Sequence, residues 1–414
     1  MLPATTFEAP RAREAAAAFD LRSLPPDFYD NPWPYYHALR AHAPVKRLPD
    51  GSLFLTRHAD LVAVYRDART FTSDKKKEFK PKYGDSLLYE HHTTSLVFND
   101  PPLHTRVRKL IMGALTQRAI AGMEDGLVRL VDGLLDEARE KGGIDLIADF
   151  ASAIPVEIIG NLLGVPHADR GPLREWSLAI LGALEPVISP EQFERGNRSV
   201  REFLDYLEIL TAERRRTPGD PEHDVLTRLI QGEAGGERLS PAELMQNCIF
   251  ILNAGHETTT NLIGNSLVAL SQWPGEKQRL LDQPALIAGA IEEFLRYESS
   301  NQLGNRMAAV DTMVGGVETP AGTPIHLCIG AANRDPAQFP EPDRLDITRE
   351  PNRHLAFGFG IHQCAGLSLA RLEGRTAISR FLARFPRYAL AEQPTRGGRV
   401  RFRGFIRAPC VLEP

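Results

Sequence analysis

One cysteine in a glycine-rich loop constrains this chain more than any other feature. Cys364 lies in the stretch from Phe357 to Gly366, FGFGIHQCAG, which runs directly into a predicted helix from Ala365 to Arg384. Glycines let a backbone approach a flat ligand closely, and the positive N-terminal end of a helix stabilises a thiolate. The loop therefore predicts that Cys364 is a metal ligand, of the kind that holds iron through sulfur.

Two other interpretations of this loop fail. A dinucleotide-binding loop would carry a further glycine where Gln363 stands, and would follow an apolar strand that is absent here. A zinc site would need a second Cys or His pair nearby. The remaining cysteines, Cys248, Cys328 and Cys410, lack such a context and are predicted to be buried and inert.

With these residues in view, the chain resembles the cytochrome P450 superfamily, whose heme-binding loop follows the pattern Phe-x-x-Gly-x-His/Arg-x-Cys-x-Gly. The resemblance implies that Cys364 ligates the iron of heme b. The fixed positions are met by Phe357, Gly360, His362, Cys364 and Gly366. The residues implied to contact the cofactor in this loop are Phe357, Gly358, His362, Cys364 and Gly366.

The resemblance also implies the fold, which is mainly α with small β-sheets. The heme would lie between a long oxygen-activation helix and the helix that follows Cys364. The chain has 414 residues, of which 43% are hydrophobic and 25% charged, which is enough for a large core around a cofactor. Because no linker or repeat interrupts it, we expect residues 1–414 to form one domain, with residues 1–26 as a loose N-terminal arm.

Charge and cysteine usage limit the partners and the compartment. A net charge of −4 argues against nucleic acid as a partner. Four widely spaced cysteines fit a reducing cytosol, and residues 1–26 lack the apolar run of a signal peptide or membrane anchor. We therefore expect a soluble cytoplasmic protein without a membrane partner, as is typical of bacterial members of the family.

A long helix is predicted from the capping box SPAE at 240–243 as far as Trp273. Its middle, 249–255, is apolar on all sides and should be buried, yet it continues into the polar run HETTT at 256–260. A zinc-protease helix would need a second histidine where Thr260 stands. Threonines that bond back to helix carbonyls remain an alternative explanation of the run.

The resemblance gives this polar run a role in oxygen activation. Ala254, Gly255, Glu257 and Thr258 match the family's motif on that helix. Gly255 would let the helix open or bend beside the heme. Thr258 would hydrogen-bond dioxygen, with Thr259 as the adjacent alternative, and Glu257 would relay protons from solvent.

Cationic side chains would bind the heme propionates. A helix after Asp100 carries a basic face, which is by default a solvated surface. The resemblance implies that His104 and Arg108 on this helix, together with Arg306, bind the two carboxylates. Arginine suits the task because its planar fork can donate two charge-assisted bonds.

A Glu-x-x-Arg pair is predicted on the helix from Ala285 to Tyr297. At this spacing, Glu293 and Arg296 would ordinarily form a surface ion pair. The resemblance implies instead a buried pair that supports the heme face, joined by Arg344.

Residues 73–99 lack a steady period and are interpreted as a solvated loop, which by resemblance would form a mobile lid. The sequence assigns no role to the basic residues Lys75, Lys76 and Lys77 of this lid. The candidates for substrate contact, here and elsewhere, are Leu87, Leu88, Val97, Phe98, Ile251, Gln302, Leu303 and Asn305.

The implied reaction is the insertion of one atom of dioxygen into a small organic substrate by a monomeric enzyme. Cysteinate ligation favours O–O cleavage. Electrons would come from outside the chain, because no flavin or nicotinamide motif is present, and the resemblance implies a small acidic ferredoxin as their source. A peroxide-driven oxidase and a non-catalytic heme sensor or carrier remain alternatives. The surface predicted to receive the ferredoxin comprises Arg106, Lys109, Arg353 and Arg371.

Overall fold

Helices dominate the computed structural model, which describes residues 5–221, 224–232 and 238–413. Among these residues, no helix is both long and apolar enough to cross a bilayer. The helices are α1 (Ala9–Ala18), α2 (Pro26–Asp30), α3 (Trp33–His42), α4 (His58–Arg66), α5 (Lys76–Tyr83), α6 (Leu87–Thr94), α7 (Leu103–Ala114), α8 (Gln117–Lys141), α9 (Ala153–Leu162), α10 (Leu173–Gly182), α11 (Pro190–Arg216), α12 (Val225–Gln231), α13 (Pro241–Gln272), α14 (Pro274–Asp282), α15 (Ile287–Tyr297), α16 (Ile329–Ala332) and α17 (Leu367–Arg384).

The strands are short and form small sheets. They are β1 (Val45–Arg47), β2 (Leu53–Leu55), β3 (Phe71–Thr72), β4 (Gly143–Asp145), β5 (Leu303–Ala308), β6 (Thr312–Val314), β7 (Val317–Thr319), β8 (Pro324–Cys328), β9 (Ala389–Leu390), β10 (Thr395–Arg396), β11 (Phe405–Arg407) and β12 (Pro409–Val411). The largest sheet has the order β1-β2-β8-β5-β3, and β5 pairs antiparallel with β8, with Leu303 opposite Cys328. The predicted class, mainly α with small β-sheets, is confirmed.

Helix α13 runs through the core and begins where the capping box predicts. The Ser240 side chain accepts from the Glu243 backbone N–H at 3.2 Å, and the Glu243 carboxylate accepts from the Ser240 N–H at 2.8 Å. The helix has 32 residues and is therefore about 48 Å long. It packs against α9, α10 and α17. Helix α13 therefore contacts both helices of the first half of the chain and the helix that follows Cys364.

The Glu293–Arg296 pair is buried as the family resemblance implies, but its third member is a different arginine. Arg296 donates to both carboxylate oxygens of Glu293 at 2.7 and 2.8 Å, and both side chains are 0% exposed. Arg349 completes the cluster, with its Nε 3.2 Å from Glu293. The prediction of Arg344 is wrong, because its side chain pairs with Glu341 at the surface and only its carbonyl accepts from Arg296.

The segment interpreted as a solvated loop, 73–99, contains two helices. Phe79 and Tyr83 of α5 are buried, and Lys75 is 0% exposed and donates to Glu78 at 2.6 Å. The loop prediction is wrong because each helix has only eight residues, too few to show a clear period in so polar a sequence.

The expected loose arm also contains ordered structure. Helix α1 packs on α3, and Ala16 and Phe19 are buried. Residues 1–4 of the expected arm lie outside the described residues.

Candidate active site

A cavity separates the middle of α13 from the loop that leads into α17. Helix α13 forms one wall, and the cysteine loop forms the opposite wall. Of the predicted cofactor and catalytic residues, those that line this cavity are Arg108, Ala254, Gly255, Thr258, Thr259, Arg306, Phe357, Gly358, His362, Cys364 and Gly366. The fold therefore brings together residues that lie more than 250 positions apart in the chain.

The cysteine loop is held in a conformation that presents one sulfur to the cavity. Its backbone N–H at Cys364 donates to the Phe357 carbonyl at 2.9 Å. Gly360 has a φ of +73°, and a Cβ there would collide with the Tyr65 carbonyl, so only glycine fits. Burial raises the pKa of the Cys364 thiol, and this effect is opposed by a backbone N–H of Gly366 and by nearby arginines.

Two arginines and two histidines form a cluster of nitrogen groups beside this loop. Arg306 is 7% exposed and donates to the Asn305 carbonyl at 2.7 Å. The rings of His104 and His362 lie 4.1 Å apart, and burial, followed by the charge of Arg306, lowers the pKa of His362 to about 2. Both ring nitrogens of His104 and Nε2 of His362 are buried without a partner among the described residues.

These residues fit the heme that the resemblance implies. The wall supplies one sulfur donor, and Arg108 and Arg306 supply two guanidinium groups that are not paired with a carboxylate among the described residues. A buried heme carries two propionates, which need cationic or hydrogen-bonding partners. The unpartnered histidine nitrogens are further donors for such carboxylates.

The polar residues of α13 divide between the cavity and the core. Thr258 lines the cavity, and its hydroxyl donates back to the Ala254 carbonyl at 2.7 Å. His256 is 1% exposed and is not among the described residues that line the cavity. Burial lowers the pKa of His256 to about 3. Gly255 does not interrupt the helix, which is continuous, but a Cβ there would collide with Ile159 of α9. Gly255 thus lies in close contact with α9, and α13 is not opened at this residue.

Glu257 is buried outside the cavity lining and pairs with Arg399. The Nη1 of Arg399 donates to the two carboxylate oxygens at 2.6 and 2.7 Å, and its Nη2 donates to the Leu178 carbonyl at 2.8 Å. Burial raises the pKa of Glu257 to about 7, against the lowering effect of Arg399. No motif in the sequence signalled Arg399, since it follows Glu257 by 142 positions.

The predicted substrate contacts are placed in two groups. Val97, Phe98, Ile251, Leu303 and Asn305 line the cavity. Contrary to expectation, Leu87, Leu88 and Gln302 are not among the residues of the described chain that line the cavity. Leu87 and Leu88 pack in the core, Leu88 close to Gly196 of α11, and Gln302 donates to the Ser299 carbonyl at 2.6 Å.

Sequence reasoning missed several lining residues. His92 and Asn253 are buried polar residues on the cavity wall, and Arg401 and Phe402 reach it from the C-terminal segment. The C-terminal segment is held there because the Gln302 N–H donates to the Arg401 carbonyl at 2.7 Å. No local pattern could have indicated a contact across so many residues.

The predicted ferredoxin surface is less positive than the sequence suggests. Arg106 pairs with Glu243 at 2.5 Å, and Arg371 pairs with Glu292 at 2.7 Å. Lys109 and Arg353 are exposed. The cationic character of this surface therefore depends chiefly on the last two residues.

Comparison with known proteins gives a consistent family assignment. The family model described as Cytochrome P450 matches residues 176–283 and 278–394. The chain is 39% identical over 395 residues to "Vitamin D(3) 25-hydroxylase" of Pseudonocardia autotrophica, covering 94% of this chain and 95% of that protein. It is 36% identical over 369 residues to "Biotin biosynthesis cytochrome P450" of Bacillus subtilis (strain 168), covering 88% and 92%.

A solved structure extends the similarity to the whole fold. The crystal structure of P450BioI in complex with hexadec-9Z-enoic acid ligated acyl carrier protein matches with a TM-score of 0.88 and 35% identity. The match covers 94% of this chain and 100% of that chain. The arrangement of helices around the cavity is therefore shared with a protein of known structure.

Proposed function

Because the chain belongs to the cytochrome P450 family, we propose that Cys364 ligates the heme iron and that the enzyme inserts one atom of dioxygen into a small organic substrate. Its cofactor is heme b, and it is an oxidoreductase of the P450 monooxygenase type. The observation that carries the proposal is the position of Cys364 on the cavity wall. The other cysteines are at most 3% exposed and do not line the described cavity.

The remaining loop and helix residues orient the cofactor. Arg108, Arg306, His104 and His362 would bind its two carboxylates, which the unpartnered nitrogens support. The other contacts would come from Ala254, Gly255, Phe357, Gly358 and Gly366. When bound through the Cys364 thiolate, the heme would supply the binding of dioxygen and the cleavage of its O–O bond, with electrons from an external donor.

The proton supply would come from α13. Thr258 carries a hydroxyl at the cavity wall, and Thr259 is the adjacent alternative. Glu257, with a pKa of about 7, can hold or release a proton at its carboxyl near neutral pH. Arg399 holds that carboxylate away from the cavity, so a relay requires Glu257 to exchange this ion pair for contacts toward Thr258.

The electrons would come from a small acidic ferredoxin that docks near Lys109 and Arg353, with the protein acting as a monomer. Small, transient encounters of this kind are governed by charge. Both side chains are exposed, which supports this assignment. A peroxide-driven oxidase or a heme carrier would need no such surface.

Cys364→Ser tests the ligand, with Cys410→Ser as the matched control. We expect the long-wavelength absorption band of the reduced, carbon monoxide-bound protein to disappear only in Cys364→Ser. A band that survives there would contradict the proposal. NADPH oxidation with ferredoxin and its reductase, compared with turnover on hydrogen peroxide, separates a monooxygenase from a peroxide-driven oxidase. If the protein turns over neither with NADPH and ferredoxin nor with hydrogen peroxide, a heme carrier is the remaining function.

A further inference from the structure

Arg401 places a cationic side chain on the cavity wall without a carboxylate partner. Its Nε donates to the Leu184 carbonyl at 3.2 Å, and its Nη1 donates to the Leu303 carbonyl at 2.8 Å. Within the described residues, its Nη2 makes no hydrogen bond and its guanidinium forms no ion pair. The residue is 9% exposed and contributes to the cavity lining. The side chain is therefore buried, fixed by two carbonyls, and retains donors for another group.

The neighbouring carboxylates are already occupied. Glu185 accepts from backbone N–H groups, including that of Arg401 at 3.2 Å, and Glu78 pairs with Lys75 at 2.6 Å. Lys82 donates to the Glu185 carbonyl, and burial together with the charge of Arg401 lowers its pKa to about 8. Positive charge therefore exceeds negative charge around Arg401. A buried guanidinium in such surroundings is best satisfied by an anion.

His92 offers a second donor on the same wall. It is 2% exposed, lines the cavity, and its Nε2 has no partner among the described residues. Burial, followed by the charges of His91, Lys82 and Arg401, holds the pKa of His92 well below its usual value, so the imidazole is neutral. A neutral imidazole protonated at Nε2 can donate to an oxygen beside the guanidinium.

Apolar side chains make up much of the remaining cavity lining. Side chains of four helices and their connections surround the space beyond Arg401, with hydrophobic groups that offer no hydrogen bond. They include Ile159, Leu181, Leu184, Val225, Phe250 and Ile251. Apart from Arg108 and Arg306 on the cofactor side, Arg401 is the cation of the described lining, which matches a ligand that has a hydrophobic body and one acidic group.

Resting on the proposed function, we propose that the substrate is an amphipathic carboxylic acid whose carboxylate binds Arg401 and His92. The acid accepts hydrogen bonds from Nη2 of Arg401 and Nε2 of His92. Its apolar body extends along α13 toward the cofactor side of the cavity. Arg401 thus selects the substrate class without taking part in the oxidation.

The test compares acids with their uncharged esters in the wild-type holoenzyme. Dissociation constants are measured by calorimetry and by the ligand-induced shift of the heme spectrum. The two matched pairs are dodecanoic acid with methyl dodecanoate and deoxycholic acid with its methyl ester. We expect at least one acid to bind roughly tenfold or more tightly than its ester, as charge-assisted hydrogen bonds predict. Equal affinities in both pairs would overturn the inference.

Variants then assign the preference to the residue. Arg401→Met should abolish the difference between acid and ester, Arg401→Lys should keep part of it, and Arg195→Met on the exposed face of α11 should leave it unchanged. An acid preference that persists in Arg401→Met would also overturn the inference. The comparison of acids with esters in the wild-type protein tests the inference even if a variant does not fold.

The carbon monoxide spectrum separates this inference from the proposed function. If the wild-type protein keeps the band of cysteinate ligation but shows no acid preference, only the substrate assignment fails. If the band itself is missing, the proposed function fails.

Discussion

Arg399 and Glu257 form a buried ion pair in which one guanidinium nitrogen lies 2.6 and 2.7 Å from the two carboxylate oxygens. The pair joins the C-terminal segment to the centre of α13. Burial and Arg399 act in opposite directions on the pKa of Glu257, which lies at about 7 as a result. The arginine therefore sets the pH at which this carboxyl can give up its proton.

Arg399→Met should raise the pKa of Glu257 further, because the variant removes the cation and keeps the burial. The protonated form then persists to higher pH. If Glu257 delivers protons, the alkaline limb of the pH profile of coupling, measured as product formed per NADPH, should move to higher pH. Arg407→Met, which removes an exposed ion pair with Glu392, is the control and should leave the limb in place. An unmoved limb in Arg399→Met would exclude Glu257 from the relay.

Thr258→Ala should uncouple the enzyme, with more peroxide and less product, while heme and substrate still bind. The hydroxyl lost lies on the cavity wall, and its bond to the Ala254 carbonyl is worth only about 1 kcal/mol of stability. Thr260→Ala is the control, because it removes an equivalent hydrogen bond from a threonine hydroxyl to a helix carbonyl, that of His256, at 3.0 Å. Thr260 is not among the described residues that line the cavity. Peroxide yields that rise equally in both variants would assign Thr258 a purely structural role.

Arg349→Met should destabilise the holoprotein by about 3 kcal/mol, because it removes a cation from a fully buried carboxylate, that of Glu293. Arg344→Met should change the free energy of unfolding by less than about 0.5 kcal/mol, since its ion pair is exposed. Denaturant unfolding of the two variants measures the difference. Equal losses would show that Glu293 does not depend on Arg349.

Lys109→Glu and Arg353→Glu should each slow the first electron transfer from ferredoxin and weaken its dependence on salt. Exposed charges act over a Debye length of about 8 Å at physiological ionic strength. Arg106→Glu should also slow this step, because the reversal changes the local charge by the same amount and leaves Glu243 without its cation. Stopped-flow reduction across a salt series, with Arg195→Glu as control, measures the rates. Wild-type rates at low salt in both main variants would place the docking surface elsewhere.

The sequence indicated the features that depend on neighbouring residues. The capping box at Ser240 and the loop around Cys364 are local patterns, and α13 and α17 form as they predict. Contacts across long separations were missed: Glu257 meets Arg399, and Leu303 meets Arg401, through pairings that no local period encodes.

The arginine of the buried cluster shows a further reason for error. Arg344 and Arg349 lie in one irregular segment, and both contact the cluster. Arg344 contributes its backbone carbonyl, and Arg349 contributes its guanidinium. Which arginine points inward depends on the path of the backbone, which composition does not reveal.

Strand β5 reaches both the Arg401 side and the cofactor side of the cavity within four residues, from Leu303 to Arg306. The Leu303 carbonyl fixes Arg401, and the guanidinium of Arg306 lies on the side of the cysteine loop. Pairing with β8 holds the strand in register, so the separation between the two ends cannot drift. For an acid anchored at Arg401, this strand would fix the distance between the carboxylate and the cofactor side of the cavity, and that distance would restrict which carbon can be oxidised.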